Sequence, residues 1–176
     1  MEQKKISETN KVTITYDEEK GNKIVNSYYF VETIGKGAYS KVKRAIHLET
    51  KKEYAIKILN KRLLRKKKKS YGKTSDGWMK INYMIQDALN EIEIYKQFPQ
   101  THQNVLKLYE IINDDTNDKT YLVMELADYG SIVSINEKTG VFTLNSHYDN
   151  EKYDEKLIKR FILDIAKGLS FCKFFV

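Results

Sequence analysis

The feature that most constrains this chain is a glycine-bearing turn, Gly35-Lys36-Gly37-Ala38-Tyr39-Ser40, followed closely by the alternating segment Glu53 to Leu59. Side chains of an extended strand point alternately to opposite faces. Tyr54, Ile56 and Ile58 therefore share one face, and Ala55, Lys57 and Leu59 the other. Gly35 and Gly37 lack a Cβ, so the backbone there can turn tightly and bring its N–H groups against phosphate oxygens at no steric cost. The small Ala55 leaves room for a flat base, and the Lys57 ammonium one position along the same face can reach attached phosphates. Alone, the turn reads equally well as an ordinary β-hairpin turn. Joined to Val42 and Lys57 at this spacing, it reads as a nucleotide site.

Composition bounds the rest. With 176 residues, 41% hydrophobic and 31% charged, the chain is globular in type and long enough for one domain. Cys172 is the single cysteine, so no intramolecular disulfide can form, and an intracellular, cytoplasmic address is expected. No charged-then-apolar signal pattern and no eighteen-residue apolar run occurs, so no membrane span is expected. The net charge of +7 is concentrated at Lys61, Arg62, Arg65, Lys66, Lys67, Lys68, Lys69 and Lys73. Such a run fits either a phosphate-rich partner or a solvated, mobile insert. It has no interleaved aromatics and no second basic stripe, which argues against a nucleic-acid groove.

Met1 to Asn10 is polar and expected to be disordered. Alternation at Val12, Ile14 and Tyr16, a turn at Gly21-Asn22 and the β-rich run Ile24 to Ile34 predict a leading hairpin and a first main strand. Strands follow at Ser40 to His47 and Lys52 to Leu59, then a flexible insertion at residues 60–80. Apolar residues at Ile81, Met84, Ile85, Ala88, Leu89, Ile92 and Tyr95 recur at helical spacing up to Pro99. Glu91 falls on this inward stripe, where a carboxylate needs a cation, and Lys57 is the candidate. Alternatively it flanks the stripe and is as solvated as Glu93. Strands at Val105 to Ile112 and Lys119 to Leu126 complete a five-stranded sheet. Asp128 to Asn150 is irregular, with a short helix or strand pair. A second helix from Tyr153 carries Leu157, Ile158, Phe161, Ile162, Ile165, Leu169 and Cys172. His47 and His102 lack companions at ligand spacing, so no metal site is expected.

Together, Ile34-Gly35-x-Gly37-x-x-x-x-Val42 and Ala55-Ile56-Lys57 resemble the amino-terminal lobe of a serine/threonine protein kinase, with Ser40 at the place of the usual third glycine. The resemblance runs from Tyr28 to Cys172. It implies an α+β fold: a five-stranded antiparallel sheet with one major helix, then a hinge and the first helices of a second lobe. The implied divisions are an extension at 1–27, the lobe at 28–126 with the basic insert at 60–80, and hinge plus partial second lobe at 127–176. Lys57 and Glu91 would form the catalytic ion pair. Ile34, Gly35, Lys36, Gly37, Ala38, Tyr39, Ser40, Val42, Ala55 and Lys57 would hold ATP. Met124 would guard the back of the pocket, and the backbones of Glu125 and Ala127 would meet the adenine edge. Tyr54-Ala55-Ile56-Lys57-Ile58-Leu59-Asn60-Lys61, Asn90-Glu91-Ile92, Asn104-Val105-Leu106-Lys107-Leu108 and the basic insert are most similar to the calcium/calmodulin-dependent protein kinase kinases and their fungal relatives. That family's insert is rich in arginine and proline, whereas this one is lysine-rich.

The family's His-Arg-Asp loop and Asp-Phe-Gly magnesium motif do not occur in these residues, and His147-Tyr148-Asp149 only imitates the first. The chain is therefore expected to stop before the catalytic loop. Magnesium is expected only with a further lobe, and phosphoryl transfer to a protein substrate only in a longer form. The other expectation is a catalytically inactive nucleotide-binding or kinase-interacting fragment.

Overall fold

The computed structural model describes residues 5–73, 79–136, 138–144 and 155–173. They form two compact units, one of Met1–Thr101 with Leu106–Leu126, the other of His102–Val105 with Ala127–Phe174. The first unit holds strands β1 (Ser7–Thr9), β2 (Ile14–Tyr16), β3 (Lys23–Val25), β4 (Tyr28–Lys36), β5 (Ser40–His47) and β6 (Glu53–Asn60). Helix α1 (Lys61–Lys66), strands β7 (Lys68–Lys73) and β8 (Met79–Tyr83), helix α2 (Met84–Gln97) and strands β9 (Leu108–Asn113) and β10 (Lys119–Met124) follow.

Eight strands make one sheet in the order β1-β9-β10-β6-β5-β4-β3-β2. The expected antiparallel core of five is β4, β5, β6, β9 and β10, and three short strands extend it. The sheet is strongly curled. Three strand spacings separate β4 from β10, about 14 Å if flat, yet the Phe30 and Tyr121 ring centroids lie 6.3 Å apart. From β4, the Tyr28 hydroxyl also reaches Glu110 of β9 at 2.7 Å. The concave face encloses Val25, Tyr28, Phe30, Ala45, Ile56, Ile112, Tyr121 and Val123. The convex face packs Leu59, Leu108, Ile111 and Leu122 against Leu64 of α1 and Ala88 and Ile92 of α2. Ile56 and Leu59 sit on opposite sides, as strand alternation requires.

The first residues correct the expectation of disorder as far as they are described. β1 pairs in parallel with β9, Ser7 opposite Glu110, and residues 1–4 lie outside the described residues. The linker between β1 and β2 is held on both sides. Val12 N–H donates to Asp114 at 3.0 Å, Thr13 N–H donates to Asn26 Oδ1 at 2.8 Å, and Asn26 Nδ2 donates to the Lys11 carbonyl at 3.0 Å. Asn26 itself turns β3 into β4 at φ 51°, a left-handed conformation that asparagine tolerates.

Residues 60–80, expected to be a flexible insertion, are instead ordered in their described part. Asn60 caps α1 by accepting the Leu63 N–H at 3.0 Å, and β7 and β8 pair as an antiparallel ribbon. Residues 74–78, with Gly77, lie outside the described residues. Lys61, expected within the solvated basic run, is 4% exposed. Its ammonium donates to Asn113 Oδ1 at 3.2 Å and the Asp114 carbonyl at 2.8 Å. Burial, then Arg65, pulls its pKa down. Helix α2 begins at Met84 rather than Ile81, because β8 runs to Tyr83. Leu89, expected on the inward stripe, is exposed.

In the second unit β11 (Val133–Ile135) and β12 (Phe142–Leu144) form a hairpin, and α3 spans Glu155–Cys172. The expected strand pair beyond residue 128 is this hairpin. His102 stacks on Phe171 with centroids 4.4 Å apart. Gly168 faces the Asn104 backbone, where an added Cβ would stand 2.7 Å from its carbonyl oxygen. Ile162, Ile165 and Leu169 of the α3 stripe are exposed. Residues 145–154 and 174–176, with His147-Tyr148-Asp149 and the apolar end, lie outside the described residues.

Candidate functional site

Cross-strand register brings the predicted residues of the first unit into two adjacent rows. Gly35 pairs with Val42, Val42 with Lys57, and Lys57 with Leu122, one row across β4, β5, β6 and β10. Directly opposed residues share a face, and this is the convex face that carries α2. In the next row Ala55 pairs with Met124. Ala55 is buried, and Met124 packs partly against the convex cluster.

Lys57 Nζ lies 2.6 Å from Glu91 Oε1 of α2. The helix is set at this distance by packing: Ala88 and Ile92 are buried against the sheet, with Met84, Ile85 and Tyr95 beside them. The pair predicted from the sequence is formed, but burial is not what requires it. Glu91 is 42% and Lys57 23% exposed. A pair this open is worth about 0–1 kcal/mol to the fold. Its main effect is to fix the position of one ammonium on a strand face lined by glycine, valine and alanine.

The turn behaves differently from the expectation. Neither Gly35 nor Gly37 has a positive φ. Gly35 is a residue of β4, and a Cβ there would meet Val42 at an ordinary 3.5 Å. Gly37 is tighter: a Cβ would stand 3.1 Å from Ser40 Oγ, and its N–H already donates to the Ser40 carbonyl at 2.9 Å. The Gly37 N–H therefore closes the turn in this state instead of standing open. Tyr39 packs against the convex cluster, and its carbonyl accepts the Asn60 N–H at 3.2 Å. Ile34, Lys36 and Ala38 are exposed around the turn.

At the end of β10, Glu125 N–H donates to the Lys107 carbonyl at 2.9 Å, and the two side chains pair at 3.0 Å. The Lys107 pKa is raised by its hydrogen bond to Glu125. Ala127 belongs to the second unit, where its carbonyl accepts the Gly130 N–H at 3.2 Å.

Three features escaped the sequence reading. Leu122 completes the Lys57 row. Arg44, opposite Ala55, bridges Glu32 at 2.9 Å and Glu53 at 2.7 Å and so ties β4, β5 and β6 together. The Lys107–Glu125 pair fixes the exit of β10. Register alone joins these partners, and no local spacing announces it.

The residues fit the phosphate-holding half of a nucleotide site: an oriented ammonium, a small residue beside it, and a turn at the edge of the same face. The family model described as protein kinase domain matches residues 28–174. A protein of Dictyostelium discoideum named as a probable serine/threonine-protein kinase is 38% identical over 151 residues, 86% of this chain and 18% of that protein. SNF1-activating kinase 1 of Saccharomyces cerevisiae is 32% identical over 128 residues, 73% of this chain and 11% of its own. The calcium/calmodulin-dependent protein kinase kinase of Caenorhabditis elegans is 34% identical over 118 residues, 63% of this chain and 21% of its own. The chain thus spans about a fifth or less of the length of these relatives.

Proposed function

The chain belongs to the protein kinase domain family, with serine/threonine kinases among its relatives, and on that premise we propose that it is the ATP-binding part of a serine/threonine protein kinase. The observation that carries the reading is the 2.6 Å contact between Lys57 and Glu91 on a face shared with Gly35, Val42 and Ala55. ATP bound there would supply the phosphoryl group. Lys57 would hold its α- and β-phosphates, Glu91 would hold Lys57, and the turn at Gly35 to Ser40 would cover the phosphates. Ala55 would leave space for the base, Met124 would close the back, and the Glu125 and Ala127 backbones would meet the adenine edge. Transfer to a protein hydroxyl would belong to a form that also carries the two catalytic aspartates and their magnesium, motifs that these 176 residues do not contain.

Within the family, the motifs from Tyr54 to Lys61 and around Glu91, together with the similarity to SNF1-activating kinase 1 and a calcium/calmodulin-dependent protein kinase kinase, support an upstream kinase that acts on other kinases. An intracellular, cytoplasmic location is proposed on the single cysteine alone. A second reading, a nucleotide-binding or kinase-interacting fragment without catalysis, draws on the same Lys57–Glu91 geometry without the transfer step.

Calorimetric titration of the chain with ATP tests the shared core. Binding that weakens at least tenfold in Lys57→Ala is the expected result, and unchanged affinity in that variant overturns the site. Phosphorylation of an energy-sensing kinase by a longer protein carrying this segment, lost in Lys57→Ala, separates the enzyme from the inert fragment.

A further inference from the structure

The opposite face of the curled sheet carries a second basic site. A cavity of about 280 Å³ is lined by Lys23, Lys41, Lys43 and Lys119, with Phe30 and Ile58 as its apolar wall and the turn at Gly37 on its rim. Ile58 adjoins Lys57 in β6, so alternation sets this cavity on the side away from the Lys57–Glu91 pair. No carboxylate lines it. Among the described residues none of the four lysines makes an ion pair with an acidic side chain. Two of them rest on aromatic rings instead. Lys23 Nζ lies 5.6 Å from the Tyr121 centroid and donates to its hydroxyl at 3.2 Å, and Lys43 Nζ lies 5.9 Å from the Phe30 centroid.

We propose that this cavity binds a phosphate monoester carried on an apolar or aromatic stem. Several ammonium groups around one space match a dianion with three acceptor oxygens, whereas a single carboxylate would leave most of them uncompensated. The apolar wall takes the stem. Burial, and then the neighbouring charges of Lys119 and Lys43, lower the Lys23 pKa, which is repulsion that a bound anion relieves. The site uses neither Lys57 nor Glu91, and it shares with the ATP reading only the turn from Gly37 to Ser40.

Phenyl phosphate titrated into the full chain, followed by amide chemical shifts and calorimetry, tests it. Expected are shifts at residues 23, 43, 58 and 119, at least tenfold weaker binding in Lys23→Ala/Lys119→Ala, and unchanged affinity in Lys57→Ala. Lys43→Gln, on the cavity's rim, carries the same test if the double variant fails to fold by circular dichroism. A phosphotyrosine peptide binding tenfold tighter than phenyl phosphate supports the proposal with a protein segment as the source. Equal affinities support it with a small phosphate ester. Undiminished binding in both lysine variants, loss of binding in Lys57→Ala, shifts confined to residues 61–73, or equal affinity for p-cresol would overturn it.

Discussion

The two faces of the curled sheet solve the placement of lysine in opposite ways. On the convex face Lys57 is matched by one carboxylate delivered by a packed helix. On the concave face Lys23 and Lys43 have aromatic rings and no acid. A third solution lies four residues along from Lys57: Lys61 is buried against a side-chain amide and a backbone carbonyl. A matched ammonium is held in place and poised. An ammonium on a ring face keeps most of its charge uncompensated, and a neutral partner serves packing. Charge count alone would have pooled all of them.

The largest expected effect tests whether the faces are separate cores. Phe30→Ala on the concave side and Ile92→Ala on the convex side should each cost about 2–5 kcal/mol in chemical denaturation. Their sum should hold within about 0.5 kcal/mol. A larger coupling would join the faces into one core.

Next is an alkaline asymmetry. Burial, followed for Tyr28 by its bond to Glu110, raises the pKa values of Tyr28 and Tyr121 above the ordinary 10.0, and both lie in the concave cluster. The unfolded chain releases these protons near pH 10 while the folded chain keeps them, so stability present below pH 10 is lost above it. Lys23 and Lys61, whose folded values are lowered from 10.5, work the other way, adding stability as pH rises towards 10.5 and then levelling off. Above pH 10.5 the unfolding free energy should fall as pH rises, by about 1 kcal/mol per pH unit for Tyr28. Tyr28→Phe should flatten that slope, and an unchanged slope would remove the tyrosines as its cause.

Lys61→Ala, which strips partners from Asn113 and the Asp114 carbonyl, should cost about 1–3 kcal/mol. Lys57→Ala should cost only about 0–1 kcal/mol while weakening ATP binding at least tenfold. If the second substitution destabilised more than the first, the contrast between a structural and a poised lysine would fail.

The alternation of Tyr54 to Leu59 placed Ile56 and Leu59 on their proper sides, and the helical spacing after Met84 brought Glu91 to Lys57, because period is local information. Lys61 was misread because its partners, Asn113 and Asp114, are remote in sequence and reach it only through the pairing of β6 with β10 and of β10 with β9. Asparagine at position 60 is a capping residue type, but that signal went unread because the lysines after it suggested solvation. β1 was missed for a different reason. Its three residues, Ser-Glu-Thr, bear no hydrophobic pattern and are held by the backbone ladder and by Thr9 against Glu110.

That strand has a topological consequence. β1 and β2 are the two outermost strands of the eight, and only Asn10 to Thr13 lies between them. Five residue steps from Thr9 to Ile14 span at most about 18 Å, roughly half the width of eight flat strands. One short run of chain therefore laces both borders of the sheet together, as a seam closes a sleeve. The same amino-terminal stretch thus occupies both borders, β1 covering Glu110 to Ile112 of β9 and β2 covering β3, which leaves less bare backbone to a foreign strand. A single proteolytic cut between Asn10 and Thr13 would unlace them at once.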